Sequence, residues 1–315
     1  SRLKFSAKFW SDGFWSLLGN TISVVAGFLA VKIITCFVAA DVYGEASLAL
    51  GIVALLNNFL IGPLMTAQNR IYFDYVEKKM ALWFAATFER LLAGASVLAV
   101  CIYFLIAGGY FLKGEPLYLG LIFPTALLIF LQPQMSARTL YLEAHREQKK
   151  LAAVNILQKI FYPAALFMLL MAPLSRSSSI VWAQALAVIP LLLFYRPSKA
   201  LFLSNIKPAD HLKEWQGLKQ LILSFGWVLP MGSLAHWVLS TSDRYLIQHF
   251  MTLRDVGVYA MNYGFWSMPY LLLNGWLEIL TRPLLYDKAA KTQWMGVKRI
   301  IFYRTACGVL LSLLG

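Results

Sequence analysis

Apolar residues fall into long unbroken runs separated by short polar connections, and this pattern organises the whole chain. Runs of about 20 residues match the length at which a helix crosses a hydrocarbon core of roughly 30 Å. They predict membrane helices over 13–37, 46–66, 81–108, 116–136, 151–172, 179–195, 219–241, 257–280 and 297 to the end. The runs are continuously apolar instead of alternating, which favours helices over a barrel, because backbone groups in lipid must then be satisfied within each segment. The expected fold is all-α and polytopic, with about nine transmembrane helices present.

Composition supports that reading. Of 315 residues, 59% are hydrophobic and 14% charged, more apolar surface than one soluble core buries. The first run is too long and too aromatic for a signal peptide, and no small-residue cleavage pattern follows it. Cys36, Cys101 and Cys307 lie in or at the ends of apolar runs without metal-ligand spacing, and are expected to be packing residues.

The formal net charge of +13 invites a nucleic-acid reading, so the placement of the basic residues decides. With the first twelve residues taken as inside, about 20 of the 28 Lys and Arg fall on inner connections, 4 on outer ones and 4 within helices. The amino terminus is therefore expected in the cytoplasm, and no nucleic-acid partner is needed. The outer connections 38–45, 109–115, 173–178 and 242–256 are short. Segment 1–12 mixes Lys and Arg with Phe and Trp, as an amphipathic lead-in along the inner headgroup layer would.

The chain also repeats itself. At an offset of 213 residues, 11–74 aligns with 224–287 without a gap, with twelve identities. All five glycines of the second stretch fall on glycines of the first: Gly13/Gly226, Gly19/Gly232, Gly44/Gly257, Gly51/Gly264 and Gly62/Gly275. Glycine marks close helix approach, so a shared glycine pattern implies a shared packing geometry. The offset spans six helices, an even number, so the copies enter the membrane in the same direction as parallel repeats. The expected organisation is a six-helix bundle over 1–200, an inter-bundle linker over 201–218, and the first three helices of a second bundle over 219–315. On that count the second bundle is truncated, with on the order of 90 to 100 residues absent.

Charges at membrane depth usually face a cavity or a partner. Arg90 and Lys159 sit roughly 12 Å inside their helices at 1.5 Å per residue. Arg304 falls one position from the repeat-equivalent of Arg90. With Lys32, these cations are candidates for a positively charged vestibule that takes an anionic head such as a pyrophosphate, which Arg grips bidentately and Lys meets as a point charge. The alternative is local pairing, Arg90 with Glu89 for example, or snorkelling to the interface. Asp243 and Arg244 read as a structural ion pair or helix-end cap, and His236 as a packed or hydrogen-bonded helix residue.

No phosphate-binding loop, zinc-protease motif, nucleophile elbow or paired C-x-x-C is present, so no catalytic residue, metal or organic cofactor is expected, although a coupling ion remains open. Asp41 and Glu45 are the one acidic pair suited to a membrane glycosyltransferase, and their loop is too short to hold a sugar acceptor.

Two stretches resemble a known family. IGPLMTAQNRIYFDY at 61–75 is similar to the end of the second helix in polysaccharide exporters, and STSDRYLIQHFMTLRDVGVYAMNY at 240–263 is similar to their helix 7–8 junction. These belong to the lipid-linked O-antigen and polysaccharide flippase branch of the multidrug/oligosaccharidyl-lipid/polysaccharide exporter superfamily. Arg70, Asp243, Arg244, Gly257 and Tyr259 match its signature positions. The resemblance implies two bundles around a central cavity, alternating access, and carriage of an undecaprenyl-pyrophosphate-linked oligosaccharide across the bacterial inner membrane. Lipid-linked oligosaccharide, membrane lipids and possibly other polysaccharide-assembly proteins are the implied partners. The rivals are a drug exporter of the same superfamily and a membrane glycosyltransferase or polymerase.

Overall fold

A computed structural model describes residues 7–112, 119–144, 147–194, 214–220, 222, 228–290 and 294–314. Every element among them is helical. In chain order they are α1 (Ala7–Phe37), α2 (Ala40–Leu56), a π-helical turn (Asn57–Ile61), α3 (Gly62–Glu77), α4 (Ala81–Leu112), α5 (Leu119–Ala144), α6 (Gln148–Leu170) and α7 (Arg176–Phe194). A short helix α8 (214–220) follows, then α9 (Val228–Phe250), α10 (Leu253–Ala290) and α11 (Trp294–Leu314). Among the described residues, five stretches are long and apolar enough to cross a membrane: Gly13–Phe37, Ala40–Gln68, Trp83–Gly109, Gly120–Glu143 and Gln148–Leu170. The chain is a polytopic helical membrane protein. For direction, the end carrying the α3–α4 and α5–α6 turns is called the basic end, and the other the far end.

Several helix ends differ from expectation. The connection expected at 38–45 is mostly helix, since α2 starts at Ala40, and the one expected at 242–256 shrinks to two residues between Phe250 and Leu253. The expected end of the seventh run at 241 is overtaken because the polar stretch Ser240–Arg244 finds partners on neighbouring helices instead of water. Pro124, Pro133 and Pro163 all lie inside helices. The 1–12 lead-in is helical from Ala7, and its first six residues lie outside the described ones. The linker expected at 201–218 is described only from 214. There α8 buries Leu218 and packs Trp215 against the aromatic cluster of Tyr72, Tyr75, Phe84 and Phe88. Glu214 pairs with Lys78 at 3.3 Å. Burial and the Glu214 carboxylate push the Tyr75 phenol up to about 12. Cys36 and Cys101 are exposed on their helices, not packed, and His236 is exposed as well.

The most intimate helix contact joins α2 to α10 at the far end. A Cβ on Gly44 would collide with the Leu253 carbonyl and lie 3.2 Å from the Gly257 nitrogen. A Cβ on Gly257 would collide with the Ala40 carbonyl and lie 3.1 Å from the Gly44 nitrogen. Residues 40 and 253, and 44 and 257, exchange under the 213-residue offset. That reciprocity is the mark of an isologous, two-fold-like contact. Only hydrogen fits on either α-carbon.

At the same end, Thr252 and Asp255 close the start of α10 reciprocally: the Asp255 carboxylate accepts from the Thr252 N–H at 3.0 Å and from its hydroxyl at 2.6 Å, and the Asp255 N–H donates back to that hydroxyl at 3.3 Å. This is a capping box. The bonds from Thr252 hold the Asp255 carboxyl below the ordinary aspartate range.

Two outcomes are expected. Gly44→Ala or Gly257→Ala should each force α2 and α10 apart and destabilise the protein by about 1–3 kcal/mol, read as a lower thermal midpoint; an unchanged midpoint would refute the backbone contact. An acid with a depressed folded pKa adds stability above its unfolded value of about 3.9 and loses it as pH falls through the folded value. The Asp255→Asn protein should therefore lose less stability than wild type between pH 5 and pH 3, measured by thermal melts across that range.

Candidate functional site

The interior near mid-membrane depth carries three polar side chains from three elements. Asn57 opens the π-helical turn in the α2–α3 helix, a local irregularity often found at functional sites. Its side-chain N–H donates to the Gln132 carbonyl on α5 at 3.3 Å, while its own Oδ1 is buried without a hydrogen-bond partner. Gln132 is exposed although Leu128, Ile129 and Met135, which share its face at helical spacing, are buried. Ser136, one turn on, bonds back to the Gln132 backbone at 3.1 Å.

Lys159 on α6 shows the same signature. Ala152, Pro163 and Leu166 stand seven before, four after and seven after it on one helix face, and all three are buried. Lys159 between them is exposed. The opposite face carries the exposed apolar residues Leu157, Ile160, Phe161, Phe167 and Met168, which is where lipid lies. An exposed side chain on an otherwise buried face marks a candidate opening toward the protein interior. Gln132 is twelve residues before Ala144 and Lys159 eleven after Gln148, so both lie about 17 Å from the α5–α6 turn at 1.5 Å per residue. Two amides bonded to each other, and an ammonium with no hydrogen bond or ion pair to any described residue, thus stand at one depth. Such a set offers donors and acceptors for hydroxyl groups and one charge for an anion.

The other expected cations do not join Lys159. Arg90 lies on the exposed stripe of α4 with Val97, Leu98, Cys101 and Leu105, and Lys32 on the exposed stripe of α1 with Val25 and Leu29. Arg90 does not pair with Glu89 either; the carboxylate turns inward toward Arg138, with Oε1 buried and unbonded. Arg304 is in α11, and its side chain, like those of Arg70 and Glu278, lies outside the described ones. The amides were absent from the expectations, though their trace is in the sequence: Asn57-Asn58 and Gln132-Pro133-Gln134 interrupt apolar runs at mid-length.

Four of the five signature residues gather at the far end. The Asp243 carboxylate accepts from the Tyr259 hydroxyl and from the Arg244 N–H. Asp243 and Arg244 form no ion pair with each other, a correction to the expectation. The Arg244 guanidinium reaches the Ser47 hydroxyl on α2 at 3.3 Å and lies over the Tyr263 ring at 5.9 Å. From the same α9 face, Tyr245 donates to the Leu48 carbonyl at 2.7 Å and Trp237 to the Gly51 carbonyl at 2.9 Å. Gly257 completes the set at the α2 crossing. The cluster clips α2, α9 and α10 together beyond the interior polar groups. Among the described residues no group of three His, Cys, Asp or Glu side chains is placed to hold a metal ion.

Comparison with protein families matches residues 9–280 to the family described as polysaccharide biosynthesis protein. No curated protein and no solved structure matches the chain.

The interior opening has a direct check. With Cys36, Cys101 and Cys307 replaced, Lys159→Cys should react with a water-soluble thiol reagent in the folded protein, whereas Leu166→Cys on the same face should not. Equal protection of both positions would remove the internal space.

Proposed function

The chain belongs to the polysaccharide biosynthesis protein family, and we propose that it is a flippase that carries an undecaprenyl-pyrophosphate-linked oligosaccharide across the bacterial inner membrane. The observation that carries this reading is Lys159, a cation with no partner among the described residues, exposed on a buried helix face and level with Gln132 and Asn57. Lys159 meets the phosphate, and the amides meet sugar hydroxyls. Arg304 is kept as a second phosphate contact by its position alone, while Arg90 and Lys32 lie on outward stripes and are not assigned to the cargo.

The far-end clip supports alternating access. With the amino terminus and the basic end cytoplasmic, the contacts of Gly44, Ser47, Arg244, Gly257 and Tyr259 close the periplasmic side. Opening that side requires α9 and α10 to leave α2, which the two bundles, 1–200 and 219–315 with a linker at 201–218, would do by rocking. Binding energy from the cargo must offset the lost contacts, because a ligand moves such an equilibrium only by its differential affinity for the two states. A coupling ion is compatible with this scheme. No step makes or breaks a covalent bond, so the protein acts as a transporter, in contact with lipid-linked oligosaccharide, membrane lipid and other polysaccharide-assembly proteins.

The test is transport of a lipid-linked oligosaccharide by the complete protein in vesicles. A charge-assisted hydrogen bond contributes about 1.5–3 kcal/mol, so Lys159→Gln should weaken cargo affinity roughly ten- to hundredfold, with Lys32→Gln near wild type. Full transport by Lys159→Gln would refute the phosphate site. Transport of small drugs in place of the lipid would favour the exporter rival, and glycan elongated on the lipid carrier the polymerase.

A further inference from the structure

Arg90 remains unexplained by the cargo site, and its setting is specific. It lies seven residues, about 10 Å at 1.5 Å per residue, beyond Trp83, where the apolar span begins. The rest of its stripe toward the far end is apolar: Val97, Leu98 and Phe104 are exposed, and Leu105 is 76% exposed. Gly94, one turn on, has nothing within 4 Å of a Cβ position, so the stripe is open beside the guanidinium. The one nearby acid, Glu89, faces inward to Arg138 and leaves the charge uncompensated. Arg90 makes no hydrogen bond or ion pair to any described residue.

A helical side chain points toward its helix N-terminus, and for α4 that is the basic end. Arg90 therefore reaches over Ala86 and Thr87, one turn back on the same stripe, toward the nearer headgroup layer. Ala86 adds little bulk there, and Thr87 stands three residues before Arg90 on the same stripe. An arginine facing hydrocarbon is costly unless it meets an anion or water, and no described residue supplies the anion.

We propose that Arg90, with the Thr87 hydroxyl beside it, binds the phosphate of a glycerophospholipid on the outer surface of α4, in the leaflet at the basic end. A phosphate accepts two guanidinium N–H bonds at once, and the fixed fork of Arg suits it better than a lysine point charge. The lipid is drawn below the headgroup plane there and thins that leaflet locally. The site does not depend on what the protein transports.

Native mass spectrometry of the complete protein, after nanodisc reconstitution in defined lipids, tests this. Wild type should retain phosphatidylglycerol several-fold more than phosphate-free diglucosyl diacylglycerol. Arg90→Gln should lose that preference, Arg90→Lys should keep part of it, and Lys32→Gln should leave it unchanged. Equal retention by wild type and Arg90→Gln would overturn the proposal. So would selective retention of undecaprenyl phosphate over phosphatidylglycerol, which would make the site one for the carrier lipid.

Discussion

Two helices that touch backbone to backbone set the terms for everything around them. At Gly44 and Gly257 each α-carbon lies against the other helix's carbonyl, so neither helix shifts without breaking the contact. This closeness brings the α9 side chains Trp237, Arg244 and Tyr245 within reach of α2, where two of them bond carbonyls that already serve the helix. In lipid there is no hydrophobic drive to hold helices together, so close packing and such bonds carry the association. The same clip holds α2 and α9 together at the far end.

Against that clipped end, the interior polar groups acquire meaning. A polar atom inside a membrane protein normally finds a partner: Gln134 bonds Ser96, and Arg138 bonds the Leu192 carbonyl. Lys159 bonds no described residue, and Asn57 leaves an oxygen unbonded. Groups left unsatisfied cost stability. A carried molecule with phosphate and hydroxyl groups is the partner that their chemistry fits.

Much of this was legible in the sequence, and each miss has a physical cause. Hydropathy located the helices, and the glycine register marked Gly44 and Gly257 as close-packing positions without saying that they meet each other. Depth was legible too, for Arg90 and Lys159 lie at comparable distances from their helix ends. Azimuth was not: a continuously apolar run gives no clue to which side faces lipid, so a lipid-facing arginine and an interior lysine looked alike. Helix ends were misplaced at Ser240–Arg244 because a run of polar residues reads as a loop until its partners on α2 are known. Asn57 and Gln132 were passed over because amides carry no charge to mark them.

The central claim is that an interior polar space, closed at the far end, holds the phosphate of a lipid-linked saccharide at Lys159. Electron cryomicroscopy of the complete protein in nanodiscs with that lipid bound addresses it most directly. The account predicts phosphate density within hydrogen-bonding distance of Lys159 Nζ and sugar density against Gln132 and Asn57. Phosphate density away from Lys159, or an interior filled by side chains with cargo bound elsewhere, would contradict it.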